Sequence, residues 1–149
     1  RQLDLLEEQV KDAVDKGGKV VTGGKRPEGL QGAYYQPTIL IDVTKDMRVW
    51  NEEVFGPVLP IVSFKTEAQA IEMANDTRYG LGAYLYCQDK ERTARVAAAF
   101  QAGMVSVNNA FYLVPASPFG GYKESGLGRE HGKYGLQELT QIKVVAFDK

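Results

Sequence analysis

The most constraining feature of the sequence is the segment from residue 83 to residue 108, which has the pattern of a strand, a helix and a second strand. AYLYC (83–87) is apolar and strand-like, Asp89 stands where a helix N-cap is expected, and MVSVN (104–108) is a second short apolar run. A helix between two such strands indicates a right-handed crossover that joins parallel strands. The predicted fold class is therefore α/β, with a parallel sheet.

Elements on both sides of this segment fit the same class. Leu3, Leu6 and Val10 begin an apolar face at three- and four-residue spacing, which predicts a helix that ends at Gly17 and Gly18. LPIVSF (59–64) is apolar enough to be a strand covered on both faces. The remaining predicted elements are strands at 19–22, 34–41 and 142–148 and a helix capped by Thr66, with Gln69 three residues on.

The chain begins with RQLDLLEEQ, inside the first predicted helix. It has no initiator methionine at this point and no apolar signal core with a cleavage site. We therefore expect these 149 residues to be part of a longer protein.

Composition excludes several classes of partner. The formal net charge is −1 and no basic block occurs, which argues against a nucleic-acid partner. No apolar run is long enough for a membrane span, so no membrane partner is expected. Cys87 is the only cysteine, so no internal disulfide can form, and we predict a cytoplasmic location.

The glycine-rich stretch near the C-terminus resembles two phosphate-binding motifs and fits neither. Gly121 and Gly126 have P-loop spacing, but Leu127 and Gly128 occupy the positions that need Lys and Ser or Thr. GLGREHG is one residue too long for the dinucleotide fingerprint and follows no strand. Glycines here are expected to allow close backbone packing.

Cys87 and His131 invite a comparison between a catalytic and a structural interpretation. A nucleophilic cysteine needs a lowered pKa, for example from an imidazolium or a helix N-terminus. Cys87 lies in a strand-like context, YLYCQDK, where a free cysteine is more often a small buried residue. His131, the only histidine, lies in the charged stretch REHGK and is expected to be solvated or to cap a helix. A small thiol hydrolase built on these two residues is an alternative hypothesis.

Three long strings carry a family resemblance. These are NEEVFGPV (51–58), NDTRYGLGAYLY (75–86) and PFGGYKESGLGRE (118–130). Together they resemble the C-terminal third of an aldehyde dehydrogenase, in the family's order and close to its spacing. The resemblance implies that residues 1–138 are part of the catalytic domain and that residues 139–149 form an oligomerisation strand. The family's dinucleotide-binding domain would lie upstream.

The resemblance implies oxidation of an aldehyde to a carboxylic acid with NAD or NADP. In this family a cysteine thiolate attacks the aldehyde, hydride passes to nicotinamide, and water hydrolyses the thioester. The nucleophile, the general-base glutamate and the oxyanion-hole asparagine all belong to upstream segments. No catalytic residue is therefore assigned to this chain, Cys87 is not the nucleophile, and the 149 residues alone are expected to be inactive.

Some cofactor-binding positions of the family are present. Glu53 matches the carboxylate that accepts hydrogen bonds from the nicotinamide ribose hydroxyls, and Phe55 matches the aromatic residue beside the nicotinamide ring. A carboxylate can accept from two vicinal hydroxyls, and a ring face limits where the nicotinamide can lie. Gln2 aligns with another position that contacts the ribose.

The resemblance also assigns substrate-binding residues. Phe111, Leu113 and Phe119 match the loop that lines the aldehyde entrance. Their apolar character suits an aliphatic or aromatic aldehyde better than a charged one. Succinate-semialdehyde enzymes tend to place a serine in this loop, where Leu113 and Val114 stand here, although the overall sequence resembles that branch.

The last predicted strand bears on assembly. QIKVVAFDK corresponds to the family's strand at the subunit interface, which implies a homo-oligomer, a dimer or a tetramer, in the parent enzyme. An exposed apolar edge invites association. An alternative hypothesis is therefore a non-catalytic module that binds or assembles through this sheet edge.

Overall fold

The computed structural model describes residues 1–110 and 114–148. The chain divides into two compact units, Arg1–Lys65 and Thr66–Lys149. The elements of the first unit are α1 (Gln2–Asp15), β1 (Lys19–Thr22), β2 (Thr38–Ile41), α2 (Arg48–Asn51) and β3 (Val58–Pro60). Those of the second are α3 (Glu67–Asn75), β4 (Gly82–Leu85), α4 (Lys90–Ala99), β5 (Met104–Val107), a 3₁₀ turn (Lys123–Ser125) and α5 (Gly132–Glu138).

The first unit contains a mixed three-stranded sheet with β2 in the centre. β1 pairs antiparallel with β2, and β2 pairs parallel with β3, with Thr38 opposite Val58. β2 begins after Pro37, later than the predicted 34–41, because proline cannot donate to a strand ladder. β3 ends at Pro60 and is an edge strand of this sheet, and the Leu59 side chain on one of its faces is 58% exposed. The expectation that 59–64 is covered on both faces is therefore wrong for this unit.

Helix α1 buries one face against this sheet, as its apolar spacing predicts. Leu6, Val10 and Ala13 are 4% exposed or less. The other buried members of the cluster come from the sheet and the α2 region: Leu40, Val43, Met47, Val49 and Val58. Each fully buried aliphatic side chain contributes roughly 1.5–3 kcal/mol to folding, so this contact is the main source of stability in the unit.

The second unit contains the predicted crossover. β4 and β5 are parallel, with Gly82 opposite Met104 and Leu85 opposite Val107, and α4 connects them. Asp89 caps α4, since its carboxylate accepts a hydrogen bond from the Arg92 amide at 2.9 Å. The parallel pairings in both units confirm the α/β prediction. None of the described helices is both long enough and apolar enough to span a bilayer.

Helix α3 has the predicted N-cap and an additional anchor at its other end. The Thr66 hydroxyl accepts from the Gln69 amide at 3.2 Å. At the C-terminus, the Lys123 ammonium donates to the carbonyls of Asn75 and Thr77 at 2.8 and 2.9 Å. A cation at this end satisfies unpaired carbonyl groups and opposes the negative pole of the helix dipole. The lysine of the PFGGYKESGLGRE string therefore stabilises a helix terminus.

The loop formed by the same string lies directly on the crossover backbone, where Gly80 and Gly103 allow a close approach. The Gly80 carbonyl accepts from the amides of Gly103 and Tyr122 at 2.9 and 2.8 Å. A Cβ atom at Gly103 would lie 1.9 Å from the Gly120 carbonyl oxygen. Such contacts are the close backbone packing expected for this stretch, and they leave no room for a side chain.

The C-terminal region differs from the elements that the sequence predicts. α5 (Gly132–Glu138) was not predicted, and the structure gives it no buried residue that an apolar pattern could reveal. Residues 141–148 belong to no helix or strand, and Ile142 and Phe147 are 96% and 88% exposed. The strand expected at 142–148 has no pairing partner among the described residues, so it stays a prediction, as do the boundaries 1–138 and 139–149.

A pair of glycine substitutions tests this packing. Gly103→Ala should lower the free energy of unfolding by about 1–3 kcal/mol or more, because the new methyl group overlaps the Gly120 carbonyl. Gly128→Ala is the matched control, because nothing lies within 4 Å of its Cβ position, and it should stay within about 0.5 kcal/mol of the parent. Denaturant unfolding measures both, and equal stabilities would contradict the described packing.

Candidate cofactor and substrate site

Glu53 and Phe55 lie together in the loop between α2 and β3, within the first unit. Both side chains are exposed, and the Phe55 ring is 70% exposed. Among residues 1–110 and 114–148, no side chain pairs with the Glu53 carboxylate. The loop thus presents an unpaired carboxylate and an open aromatic ring two residues apart.

Three residues on one face of α1 hold the backbone of this loop. Gln2 donates from Nε2 to the Phe55 carbonyl at 3.1 Å, and Gln9 donates from Nε2 to the Glu53 carbonyl at 3.1 Å. Between them, Leu6 packs so closely on Gly56 that a Cβ there would lie 2.7 Å from Leu6 Cδ2. Spacings of four and three residues place all three side chains on the same helix face. The helix therefore fixes the loop backbone while the side chains of Glu53 and Phe55 remain free.

The neighbouring carboxylate, Glu52, is in a different environment. Arg48 donates from Nε to Glu52 Oε1 at 2.8 Å, and Gln9 donates from Nε2 to Oε2 at 3.1 Å. The hydrogen bond from Arg48, more than any other influence, lowers the pKa of Glu52 below its ordinary value. Of two adjacent glutamates, one is therefore neutralised by partners within the unit, and the other is available to a ligand.

This arrangement fits the nicotinamide ribose that the sequence predicts. An unpaired carboxylate can accept from two vicinal hydroxyls, and the exposed Phe55 ring offers an apolar face to a flat heterocycle. Gln2, also exposed, uses its amide nitrogen to bind the Phe55 carbonyl. The structure therefore brings Gln2, Glu53 and Phe55 together, and their roles toward a cofactor stay predictions.

The predicted substrate residues are only partly described. Phe111 and Leu113 lie outside the described residues. Phe119 is half-buried in the second unit, where its backbone forms a short antiparallel bridge with Glu130 through bonds of 2.8 and 2.7 Å. Phe119 also lines an open cleft of about 300 Å³, together with Leu81, Gly120, Gly121, Ser125, Gly126, Gly128, Arg129, Glu130 and Glu138.

Cys87 is not a plain buried strand residue. β4 ends at Leu85, and Cys87 follows it as a half-buried free cysteine. Its backbone exchanges two hydrogen bonds with the Asn108 side-chain amide, at 2.9 and 2.7 Å. The predicted burial was wrong because the strand is two residues shorter than its apolar pattern, and Asn108 binds the backbone where the ladder ends.

His131 occupies the N-cap position of α5, but its side chain makes no capping hydrogen bond, so of its two expected roles the structure agrees with the solvated one. It is exposed, with a backbone φ of 61°, and its ring lies 6.0 Å from the Phe119 ring. No contact in the described part of the chain joins it to Cys87. A thiol hydrolase built on these two residues gains no support from this geometry.

The sequence patterns did not identify Gln9, whose side chain contacts both Glu52 and Glu53. The signal was present, since Gln9 stands next to Val10 inside the apolar face of α1. A polar residue at a core position indicates a buried hydrogen-bonding role.

The pairing of Glu52 predicts an acid-dependent loss of stability. Because the folded-state pKa of Glu52 lies below the ordinary value of 4.5, its contribution is present above that value and is lost as pH falls through the folded-state pKa. Glu52→Gln should therefore reduce the fall in melting temperature between pH 7 and pH 3, and Arg48→Met should reduce it similarly. Thermal unfolding across this range is the measurement, and an unchanged acid limb in both variants would contradict the pairing.

Comparisons with known proteins place this geometry in a family. The aldehyde dehydrogenase family model matches residues 1–145. The chain is 49% identical over 138 residues to glutarate-semialdehyde dehydrogenase of Pseudomonas aeruginosa, which covers 93% of this chain and 28% of that protein. It is 47% identical over 138 residues to the Escherichia coli succinate-semialdehyde dehydrogenase (NADP(+)) GabD, again 93% and 28%.

A solved structure gives the same result. The Mycobacterium tuberculosis aldehyde dehydrogenase complexed with NAD+ superposes with a TM-score of 0.89 at 40% identity, over 94% of this chain and 29% of that one. The chain thus spans less than a third of the length of the relatives it matches. With its motifs, its parallel strands and a family match over residues 1–145, the chain belongs to the aldehyde dehydrogenase family.

Proposed function

We propose that the protein containing these residues oxidises an aldehyde to a carboxylic acid with NAD or NADP. The observation that carries the proposal is the unpaired Glu53 carboxylate beside the exposed Phe55 ring, held by α1 within the family's EEVFGPV string. The family match over residues 1–145 supports it. The proposal concerns the whole protein and not this chain alone, because the P. aeruginosa relative is more than three times as long as this chain.

The residues of this chain would bind and orient rather than react. Glu53 would accept hydrogen bonds from the nicotinamide ribose, and Phe55 would limit the position of the ring. A bound nicotinamide cofactor supplies a hydride acceptor for the oxidation. The cysteine that forms the thioester would lie outside residues 1–149, and Cys87 would have no chemical role.

The choice between NAD and NADP belongs to the upstream dinucleotide-binding domain. The E. coli relative is an NADP(+) enzyme and the M. tuberculosis structure contains NAD+, so the comparisons support a nicotinamide cofactor of either kind. Glu53 would contact the ribose that both cofactors share. The role proposed for Glu53 is therefore independent of this choice.

The substrate is an aldehyde, and the proposed entrance loop favours an uncharged one. Phe111, Leu113 and Phe119 would line this entrance with apolar side chains, and Val114 follows Leu113 directly. None of these four residues offers a cation or a hydroxyl group for a distal carboxylate. The P. aeruginosa and E. coli relatives are semialdehyde dehydrogenases, so the loop predicts that this protein prefers a different aldehyde in the same type of reaction.

Assembly and location are part of the same proposal. The highly exposed Ile142, Val144 and Phe147 support a C-terminal segment that pairs with another subunit, in a homodimer or homotetramer. The lack of any second cysteine is compatible with a cytoplasmic location. The same exposed segment favours the alternative, a module that assembles without catalysis, and activity measurements separate the two.

Substitution of Glu53 tests the cofactor role. Glu53→Gln keeps the shape of the side chain and removes its charge, so in the intact protein the dissociation constant for NAD+ or NADP+ should rise about tenfold. Glu28→Gln, in an exposed loop where it faces Lys25 at 3.4 Å, is the matched control and should leave the constant unchanged. Titration calorimetry measures both, and equal affinities in the two variants would contradict the role.

Two five-carbon aldehydes test the substrate preference. Pentanal and glutarate semialdehyde differ by the distal carboxylate, and we expect a higher kcat/KM for pentanal because the proposed loop is apolar. NADH or NADPH formation is the measurement, and preference for the semialdehyde would contradict the loop assignment.

Cys87→Ala should retain activity and the isolated 149-residue chain should show none; loss of activity in Cys87→Ala would identify Cys87 as the nucleophile instead.

A further inference from the structure

Gln9 is the one polar side chain of the α1 core face that is fully buried. It is 0% exposed and lies between the buried Leu6 and Val10. Burial of an amide in an apolar contact is unfavourable unless its polar atoms are hydrogen-bonded. A leucine or methionine would fill the same space without this penalty, so the amide must be explained by what it binds.

The amide of Gln9 binds two consecutive residues of the cofactor loop. Its Nε2 atom donates to the Glu53 carbonyl and to Glu52 Oε2, both at 3.1 Å. Both partners are acceptors, so a flipped amide would face them with its oxygen, and the NH₂ orientation is fixed. The remaining oxygen, Oε1, is buried without a partner among the described residues. This cost indicates that Gln9 specifies one loop conformation instead of adding general stability.

The two bonds have different consequences for the adjacent glutamates. The bond to Glu52, with the one from Arg48, keeps that carboxylate against α1. The bond to the Glu53 carbonyl fixes the peptide from which the free carboxylate projects. Together they hold the Glu52 carboxylate against α1 and leave the Glu53 carboxylate exposed and unpaired.

We propose that Gln9 is a positioning residue for cofactor binding, which acts through the backbone of Glu53. It does not touch the cofactor. Its two hydrogen bonds pre-organise the loop so that the Glu53 carboxylate already faces the nicotinamide ribose hydroxyls, which lowers the cost of ordering on binding. The inference rests on the proposed function of Glu53.

The test is a double-mutant cycle in the intact protein that contains residues 1–149. Gln9→Met keeps the volume and removes the donor, and Gln9→Glu keeps the shape but directs an acceptor at Glu52 and at the Glu53 carbonyl. Val43→Ala is the control for a loosened core, because Val43 is 6% exposed in the same cluster and has no hydrogen bond to the loop side chains. Each variant is combined with Glu53→Gln.

Calorimetric dissociation constants for NAD+ or NADP+ and for ADP are the readouts, with melting temperature measured alongside. We expect Gln9→Met to weaken cofactor binding about fivefold and Gln9→Glu more strongly. In the Glu53→Gln background, Gln9→Met should add less than a twofold change, because the two residues act through one contact. ADP lacks the nicotinamide ribose, so its affinity should not change in any of these variants.

The outcomes separate the two levels of the proposal. If Glu53→Gln weakens cofactor binding and Gln9→Met does not, the inference about Gln9 is wrong and the role of Glu53 stands. If the two effects multiply, or if Gln9→Met weakens ADP binding as well, Gln9 is merely structural. If neither substitution changes cofactor affinity, the ribose role of Glu53 fails and the inference fails with it. Val43→Ala should lower the melting temperature without coupling to Glu53.

Discussion

The first unit depends on the contact between α1 and the loop that contains Glu53. Leu6, Val10 and Ala13 bury the helix in the core, and the same helix face extends through Gln2 and Gln9 to hydrogen bonds with loop carbonyls. Packing and hydrogen bonding therefore act on one surface. A helix anchored by apolar contacts can hold an irregular loop rigidly, which is what a binding carboxylate requires.

The second unit shows a different use of its long sequence motif. PFGGYKESGLGRE contributes a lysine that binds carbonyls at the end of α3, and glycines that let the loop contact the crossover backbone directly. Ser125 adds a hydrogen bond from the Gly80 amide to its hydroxyl at 2.9 Å. These are structural roles, and they explain why the string resembles phosphate-binding motifs without having their chemistry.

Much of the fold could be predicted because its signals are local. The apolar spacing of α1, the caps at Thr66 and Asp89, and the strands of the crossover all depend on residues close in sequence. Predictions were wrong at strand ends: β4 stops at Leu85, where the Asn108 side chain binds the Cys87 backbone, and β3 stops at Pro60. The strand predicted at 142–148 stays a prediction, because local patterns do not contain a pairing partner, and Phe111 and Leu113 lie outside the described residues.

Local patterns were enough to predict the α/β class, and the motifs were enough for the family resemblance, which marks Glu53 and Phe55 as candidate cofactor-binding residues. The family resemblance already selects Glu53 over Glu52, but the physical difference between the two glutamates appears only in the folded structure. The distinction arises because Arg48 and Gln9 bind Glu52, while Glu53 has no partner among the described residues. Gln9 comes from a helix 43 positions away, and long-range contacts of this kind exist only once the chain has folded.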